Sequence, residues 1–342
     1  IAGRDAANVS RWGIAPSIAF GLGSDTRFTL SYLHQHDNNM PRYGVPFALS
    51  PFNGGPLPGV DRETYFGYRN TSRQESDVDM LTGVLEMDFG DHVSLRSLGR
   101  LQRVEQYTNA TALQGSWCLA NGTNPYTGGA CATLPVGPGV PAGTFYSDGI
   151  KALRRTGETK RDGVMATLQF RPSNAWTSTL DLFHSEAEQV STANQFEVHI
   201  GDYNGGYGRL DVDNPVINGN NTFTGGTANN VYPLVRGMYN YREDEINAFG
   251  WNNEFNVGAV RLVADVSWSK TKRDEINLEN NTQRLPAPQL DSVGLSFRSG
   301  GFSQINPGFD YSDPSQLFLA NTIYGSGYGK TPKVEDELTA VK

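Results

Sequence analysis

Hydrophobic and polar residues alternate along this chain in long runs, and the runs come in pairs. In the first, Trp12, Ile14, Pro16, Ile18, Phe20 and Leu22 fall on one side, while Gly13, Ala15, Ser17, Ala19 and Gly21 fall on the other. A period of two marks a strand whose faces meet different surroundings. Pro16 removes a ladder donor, which predicts a bulge or an edge there. Gly23-Ser24-Asp25 turns the chain into a second run, where Phe28, Leu30 and Tyr32 oppose Arg27, Thr29 and Ser31. The same unit recurs at 75–89 and 92–107 around Gly90-Asp91, at 152–171 and 175–191 around Pro172-Ser173-Asn174, and at 239–257 and 259–274 around Gly258. A ninth run opens near 333. Long polar stretches at 36–74, 108–150, 192–238 and 276–332 read as loops.

Short turns at one end and long loops at the other describe an outer-membrane barrel. The predicted fold is all-β: an antiparallel transmembrane β-barrel segment of about nine strands, with short periplasmic turns and long extracellular loops. Several runs reach 14 residues or more, beyond the roughly 5–6 of globular strands. Phe20, Phe89, Phe170, Trp176 and Phe255 gather at the tight-turn ends, where an interfacial aromatic girdle lies. A soluble sandwich is the rival, since water also accepts charges on one strand face. No window approaches the ~18 apolar residues of a membrane helix, and the mean hydropathy is −0.46. Barrel strands average out in this way because only alternate residues meet lipid.

Composition narrows the function. Fifteen Tyr, 17 Phe and 5 Trp argue against disorder, and a net charge of −8 offers no basic stripe for nucleic acid. Cys118 and Cys131 lie in one loop. They are consistent with a local disulfide in an oxidising compartment, or with two unrelated thiols. Without a nearby His they make a poor zinc site. The five His are dispersed, without triad or H-E-x-x-H context, so the chain reads as a non-enzyme with no cofactor and no metal.

RWGIAPSIAFGLG (11–23), LSYLHQHDNNMPRYGVPF (30–47), FGYRN (66–70), QESDVDMLTGVLEMDFGDHVSLRSLGRLQRVEQY (74–107), GSWC (115–118) and NPYTGGAC (124–131) together resemble TonB-dependent siderophore receptors, most of all the catecholate branch. From about 151 onward, RDGVMATLQFRPSNAWTSTLDLFHS (161–185) and the region to Glu335 look more like a large-loop branch associated with carbohydrate uptake. The resemblance implies a 22-stranded transporter in the outer membrane of a Gram-negative bacterium. Its barrel surrounds a plug that signals to TonB, and iron enters only within a siderophore. Neither a TonB box, a plug nor the aromatic-ended last strand is recognisable here, so the expectation is a middle slice of such a barrel. A TonB-dependent carbohydrate receptor and a passive porin of 16–18 strands are the alternatives.

On this reading the long loops bind the ligand. Arg42, Tyr43, Tyr65, Tyr68 and Arg69, with Arg62, Phe66 and Arg73, suit a flat anionic ferric catecholate through charge, stacking and cation–π contact. Ordinary loop packing against Asp37, Asp61, Glu63 and Glu75 is the plainer reading. Tyr203, Tyr207, Tyr232, Phe302, Phe309 and Tyr311 offer further aromatic faces, equally suited to sugars or to self-packing. Arg27, Arg96, Arg100, Asp181, Glu254, Arg261 and Asp265 share the polar face, toward a plug or toward water.

Overall fold

The computed structural model describes residues 9–40, 73–123, 128–130, 140–200, 211–219, 221–284, 289–296, 304–322 and 325–342. Apart from a short 3-10 turn at Pro314–Gln316, the regular elements among the described residues are strands. In chain order they are β1 (Val9–Ile14), β2 (Ser17–Phe20), β3 (Thr26–Asn39), β4 (Arg73–Phe89), β5 (Val93–Leu119), β6 (Phe145–Ser173), β7 (Trp176–His199) and β8 (Asp211–Ile217). There follow β9 (Phe223–Val231), β10 (Leu234–Val257), β11 (Val260–Arg284), β12 (Asp291–Ser296), β13 (Gln304–Asn306), β14 (Leu317–Leu319), β15 (Gly327–Lys330) and β16 (Lys333–Val341).

The main sheet runs β1-β3-β4-β5-β6-β7-β10-β11, with β2 continuing β1 along β3, and β14, β15 and β16 sharing the far side of β11. Every pairing in it is antiparallel. The nine predicted runs become its nine positions. The sheet is open, as a segment of a barrel wall is, and does not close on itself among the described residues. Pro16 sits on the edge, where its missing donor interrupts the ladder without a register slip. Its carbonyl still accepts from the Tyr32 amide at 3.0 Å. Positive φ at Gly90 (70°) and Gly258 (62°) lets the two hairpins reverse within a few residues.

Register sorts the side chains into two faces. Leu95, Leu168, Leu180, Trp251 and Val266 stand opposite one another across five strands on one face. Arg96, Thr167, Asp181 and Gly250 do the same on the other. The apolar face lies open: Trp12, Leu30, Leu182 and Trp251 are 54%, 36%, 49% and 48% exposed. They are not sealed into a globular core, which removes the sandwich. On β10 the apolar band extends from Phe249 to Val257, about 27 Å at ~3.4 Å per residue. That compares with the roughly 25 Å apolar band of a membrane barrel.

Aromatics rim the band. At the tight-turn end Phe20 stacks on Phe28 at 6.5 Å. Trp176 lies 5.7 Å from both Phe170 and Phe255. A second rim on the long-loop side, which the pattern did not reveal, includes Phe249 against Trp268 at 6.0 Å and Trp12 over His34 at 4.9 Å. Rings at both interfaces are the mark of a barrel wall. Leu98, which breaks the alternation, falls on the polar face between Val84 and Met165.

The long loops require a correction. β5, β6, β7, β10 and β11 continue well past their predicted ends; β11 alone runs 25 residues, about 80 Å. Past the band, Asp77, Asp79, Glu105, Lys160, Glu188 and Lys272 occupy the formerly apolar face. Both faces there suit water, so the period-two contrast fades while the hydrogen-bonded ladder continues. The regions 192–238 and 276–332 also contain a second antiparallel sheet, β13-β12-β9-β8. Val212, Phe223, Ala228, Val231, Val293 and Leu295 from this sheet bury a core with Ala120, Tyr146, Val198 and Ile200. This cap ties the ends of the long strands together.

Candidate ligand-facing site at the long-loop end

Arg42, Tyr43, Tyr65, Tyr68, Arg69, Tyr203, Tyr207 and Cys131 lie outside the described residues, as does the side chain of Cys118. The first-loop residues from Arg42 to Arg69 and the disulfide are therefore left as the sequence drew them, whereas Arg73, described at the start of β4, pairs with Glu75 as in the plainer reading. Tyr311 is described and half-buried. Its ring packs 5.0 Å from Phe196, and its hydroxyl donates to Asp291 Oδ2 at 3.1 Å. Burial, the charge of Asp291 and this hydrogen bond push the phenol well above its ordinary value, so it stays a donor. Asp291 is itself buried and also accepts from the backbone amides of Ser292 and Gly308. Nearby, Arg284 lies over the Phe309 ring at 4.4 Å and donates to Asp310 O at 2.9 Å. Tyr232 is buried just ahead of β10.

The sequence did not single out the most organised polar cluster. Glu197, on the polar face near the end of β7, is fully buried. Its carboxylate meets His199 Nε2 at 3.1 Å, Lys151 Nζ at 3.3 Å, Arg236 Nε at 3.4 Å and Gln195 Nε2 at 2.5 Å. Arg236 also reaches Asn281 Oδ1 at 3.1 Å and Glu279 at 3.6 Å. This cluster lies past the bilayer band. Burial pushes the Glu197 carboxyl up, but the His199 bond, the charges of Lys151 and Arg236 and the Gln195 bond outweigh it, so the group sits below its ordinary value. A signal was present in hindsight: Gln195, Glu197 and His199 occupy alternate positions of one strand. Only the neighbouring strands show that Lys151 and Arg236 complete the set.

Nearer the tight turns, the polar face carries cross-strand pairs. Arg27 bonds Glu86, which Arg96 approaches at 3.6 Å. Arg261 meets Glu254 at 2.5 Å, and Asp181 accepts from Thr167 at 2.6 Å. These predicted residues do share one face, and together they make a polar wall. Among the described residues, no group of three or more His, Cys, Asp or Glu converges to hold a metal ion. The site offers charge, hydrogen bonds and aromatic surface, which suits recognition.

No family profile matches the chain. A curated relative, the catecholate siderophore receptor Fiu of Escherichia coli K12, is 35% identical over 133 residues, 36% of this chain and 17% of the relative. The probable TonB-dependent siderophore receptor PiuA of Acinetobacter baumannii is 36% identical over 92 residues, covering 26% of this chain and 12% of the relative. The probable TonB-dependent receptor BfrD of Bordetella pertussis is 32% identical over 120 residues, covering 33% and 16%. Among solved structures, PiuA of A. baumannii superposes with a TM-score of 0.39 at 13% identity, covering 84% of this chain and 50% of that one. The open form of Fiu from E. coli K12 gives 0.31 at 18% identity, covering 90% and 58%. Over about a third of its length, the chain is thus similar to TonB-dependent receptors, siderophore receptors among them, and that stretch spans about a sixth of their length.

Proposed function

We propose that this chain is part of the barrel of an outer-membrane receptor that takes up a ferric siderophore, with TonB supplying the energy. The supporting observation is the joint one: homology to siderophore receptors in a sheet with an open apolar face and a polar wall. The lipid-facing band holds the strands in the membrane, and the cap and loops at the long-strand end meet the ligand. A ferric catecholate is flat and anionic. The loop pairing of Arg42 and Arg69 with Tyr43, Tyr65 and Tyr68 offers charge and aromatic faces to such a ligand, and Tyr203, Tyr207 and Tyr311 extend the aromatic surface. No covalent chemistry is required of these residues. A plug inside the barrel carries the binding signal to TonB. Hydrocarbon cannot satisfy an open sheet edge, so β1 and β16 are each paired in the membrane.

The test is binding by the full-length protein to a panel of ferric catecholates, ferric hydroxamates and oligosaccharides, paired with iron uptake in cells with and without TonB. Saturable binding of a ferric catecholate and loss of uptake without TonB are expected. Binding of oligosaccharides alone, or uptake indifferent to TonB, contradicts the proposal.

A further inference from the structure

Charge is sorted by height on the polar face of β4–β7. Near the tight turns, Glu86, Arg96, Thr167 and Asp181 form one row, and at the cap Glu197 holds its cluster. Between them, across 74–84, 98–108, 155–165 and 183–193, the charged side chains on this face are Arg100, Arg161 and Arg155, with no carboxylate among them. The opposite face of the same stretches carries Asp79, Glu105, Glu158, Asp162 and Glu188. All three arginines are exposed. Arg100 donates to Thr82 Oγ1 at 3.2 Å, and none of the three forms an ion pair among the described residues. On the neighbouring strands β3 and β10, Asp37 is held by Arg11, and Asp244 by Arg273 at 2.6 Å and Arg242 at 3.1 Å. Unanswered positive charge on a wall of low dielectric draws anions to it.

An apolar row lies beside the two lower arginines. Val84, Leu98, Met165 and Phe183 are register partners in turn on the polar face. Met165 and Phe183 are 38% and 39% exposed there. Arg100 stands opposite Gly163, and Arg161 opposite Gln102. The two arginines are therefore diagonal neighbours, roughly 7–8 Å apart at the backbone. Gly163 leaves a gap on β6 between Arg161 and Met165. A ring and a thioether form the floor of a shelf, and two guanidinium groups stand at its edge. That set suits a flat aromatic anion through stacking and charge. A neutral sugar would leave the charge unanswered. Arg155 lies about 20 Å beyond Arg161 along β6, and Lys151 of the cap cluster about 14 Å beyond Arg155. The cations thus line a path from the ligand-facing end down to the shelf.

We infer, resting on the uptake reading above, that this shelf is an inner station for the cargo: an aromatic ferric anion leaving the loops is held on the wall by Arg100 and Arg161, over Met165 and Phe183, before it reaches the tight-turn end. Arg155 passes it down from the cap. The station acts after capture, so it sets how fast bound ligand crosses and leaves the affinity of the loops unchanged.

The test uses cells carrying the full-length protein and radiolabelled iron supplied as ferric 2,3-dihydroxybenzoate. Surface affinity is measured in de-energised cells and the maximum uptake rate in energised ones, with folded protein matched by boil-sensitive gel migration. Arg100→Gln with Arg161→Gln should leave the affinity as in wild type and lower the maximum rate about fivefold. Arg100→Lys with Arg161→Lys should restore most of that rate, and Phe183→Ala should lower it about twofold. A wild-type rate in the glutamine pair, or a loss that the lysine pair does not restore, overturns the station. So does a loss accompanied by faster hydrogen exchange in the plug, because the arginines would then clamp the plug. Wild type that neither binds nor takes up the ferric complex overturns the siderophore reading as well, whereas normal binding with unchanged rates in the variants removes the station alone.

Discussion

Glu197 carries the largest local electrostatic commitment among the described residues, because it is a fully buried carboxylate facing Lys151, His199 and Arg236. Removing Glu197 takes away the carboxylate that Lys151 and Arg236, 26% and 15% exposed, share. Glu197→Leu is expected to cost about 3–5 kcal/mol in local opening, read from hydrogen exchange over 191–200. The depressed carboxyl also fixes a pH dependence. Its stabilisation is complete above the ordinary carboxylate value of about 4.3 and is lost as pH falls through the lower folded value. Exchange over 191–200 should therefore accelerate on acidification below that point in wild type, and not in Glu197→Gln. Tyr311→Phe removes one of the donors to buried Asp291, which keeps its backbone amides; a cost of about 1–2 kcal/mol is expected in the same assay. At this scale the sequence was only partly legible. Tyr311 stood out as an aromatic in a loop, but its partner Asp291 is 20 positions away, and no local pattern links them. Lys151, Glu197 and Arg236 meet only through the β6-β7-β10 register.

Among the elements, the hairpins were read most directly. Each tight turn lies between residues whose alternation stays in phase, and the structure reverses the chain there. The β10–β11 turn needs Gly258, whose φ of 62° L side chains rarely adopt. Gly258→Val is predicted to cost about 1–2 kcal/mol, measured as a lower urea midpoint for the folded barrel in lipid vesicles. Gly99→Ala, in a strand with open space around its Cβ, should leave that midpoint unchanged or raise it. The upper strands were misread as loops because alternation reports contrast between two environments, and above the band both faces meet water. Asp79, on the same face as Leu81, shows where that contrast ends. The cap strands were missed for a related reason. Phe223-Thr224-Gly225-Gly226 and Asp291-Ser292-Val293-Gly294 are short and glycine-containing, and their pairing comes from segments some 65 residues apart.

The whole molecule is a wall with one dry and one wet side, extended outward into a capped rim. This two-sidedness, with the aromatic girdle at the tight turns, was legible because lipid imposes it on each strand separately. The opposite girdle and the capped rim were not, since both arise from strands brought together. The proposed uptake depends on the wall, because a receptor whose apolar face were sealed inside a soluble core could not hold a path through a membrane. Neighbours on β7 test this most directly. Leu182 and Phe183 follow one another in sequence, face opposite ways and are 49% and 39% exposed. Nitroxide labels placed at each position in the reconstituted full-length protein would be probed for collision with membrane-soluble oxygen and with a water-soluble nickel chelate. At 182, oxygen should dominate and the chelate be excluded; at 183, accessibility to oxygen should fall and its ratio to that of the chelate should drop. Equal shielding of both positions from both reagents, or chelate access at 182, contradicts a lipid-facing wall.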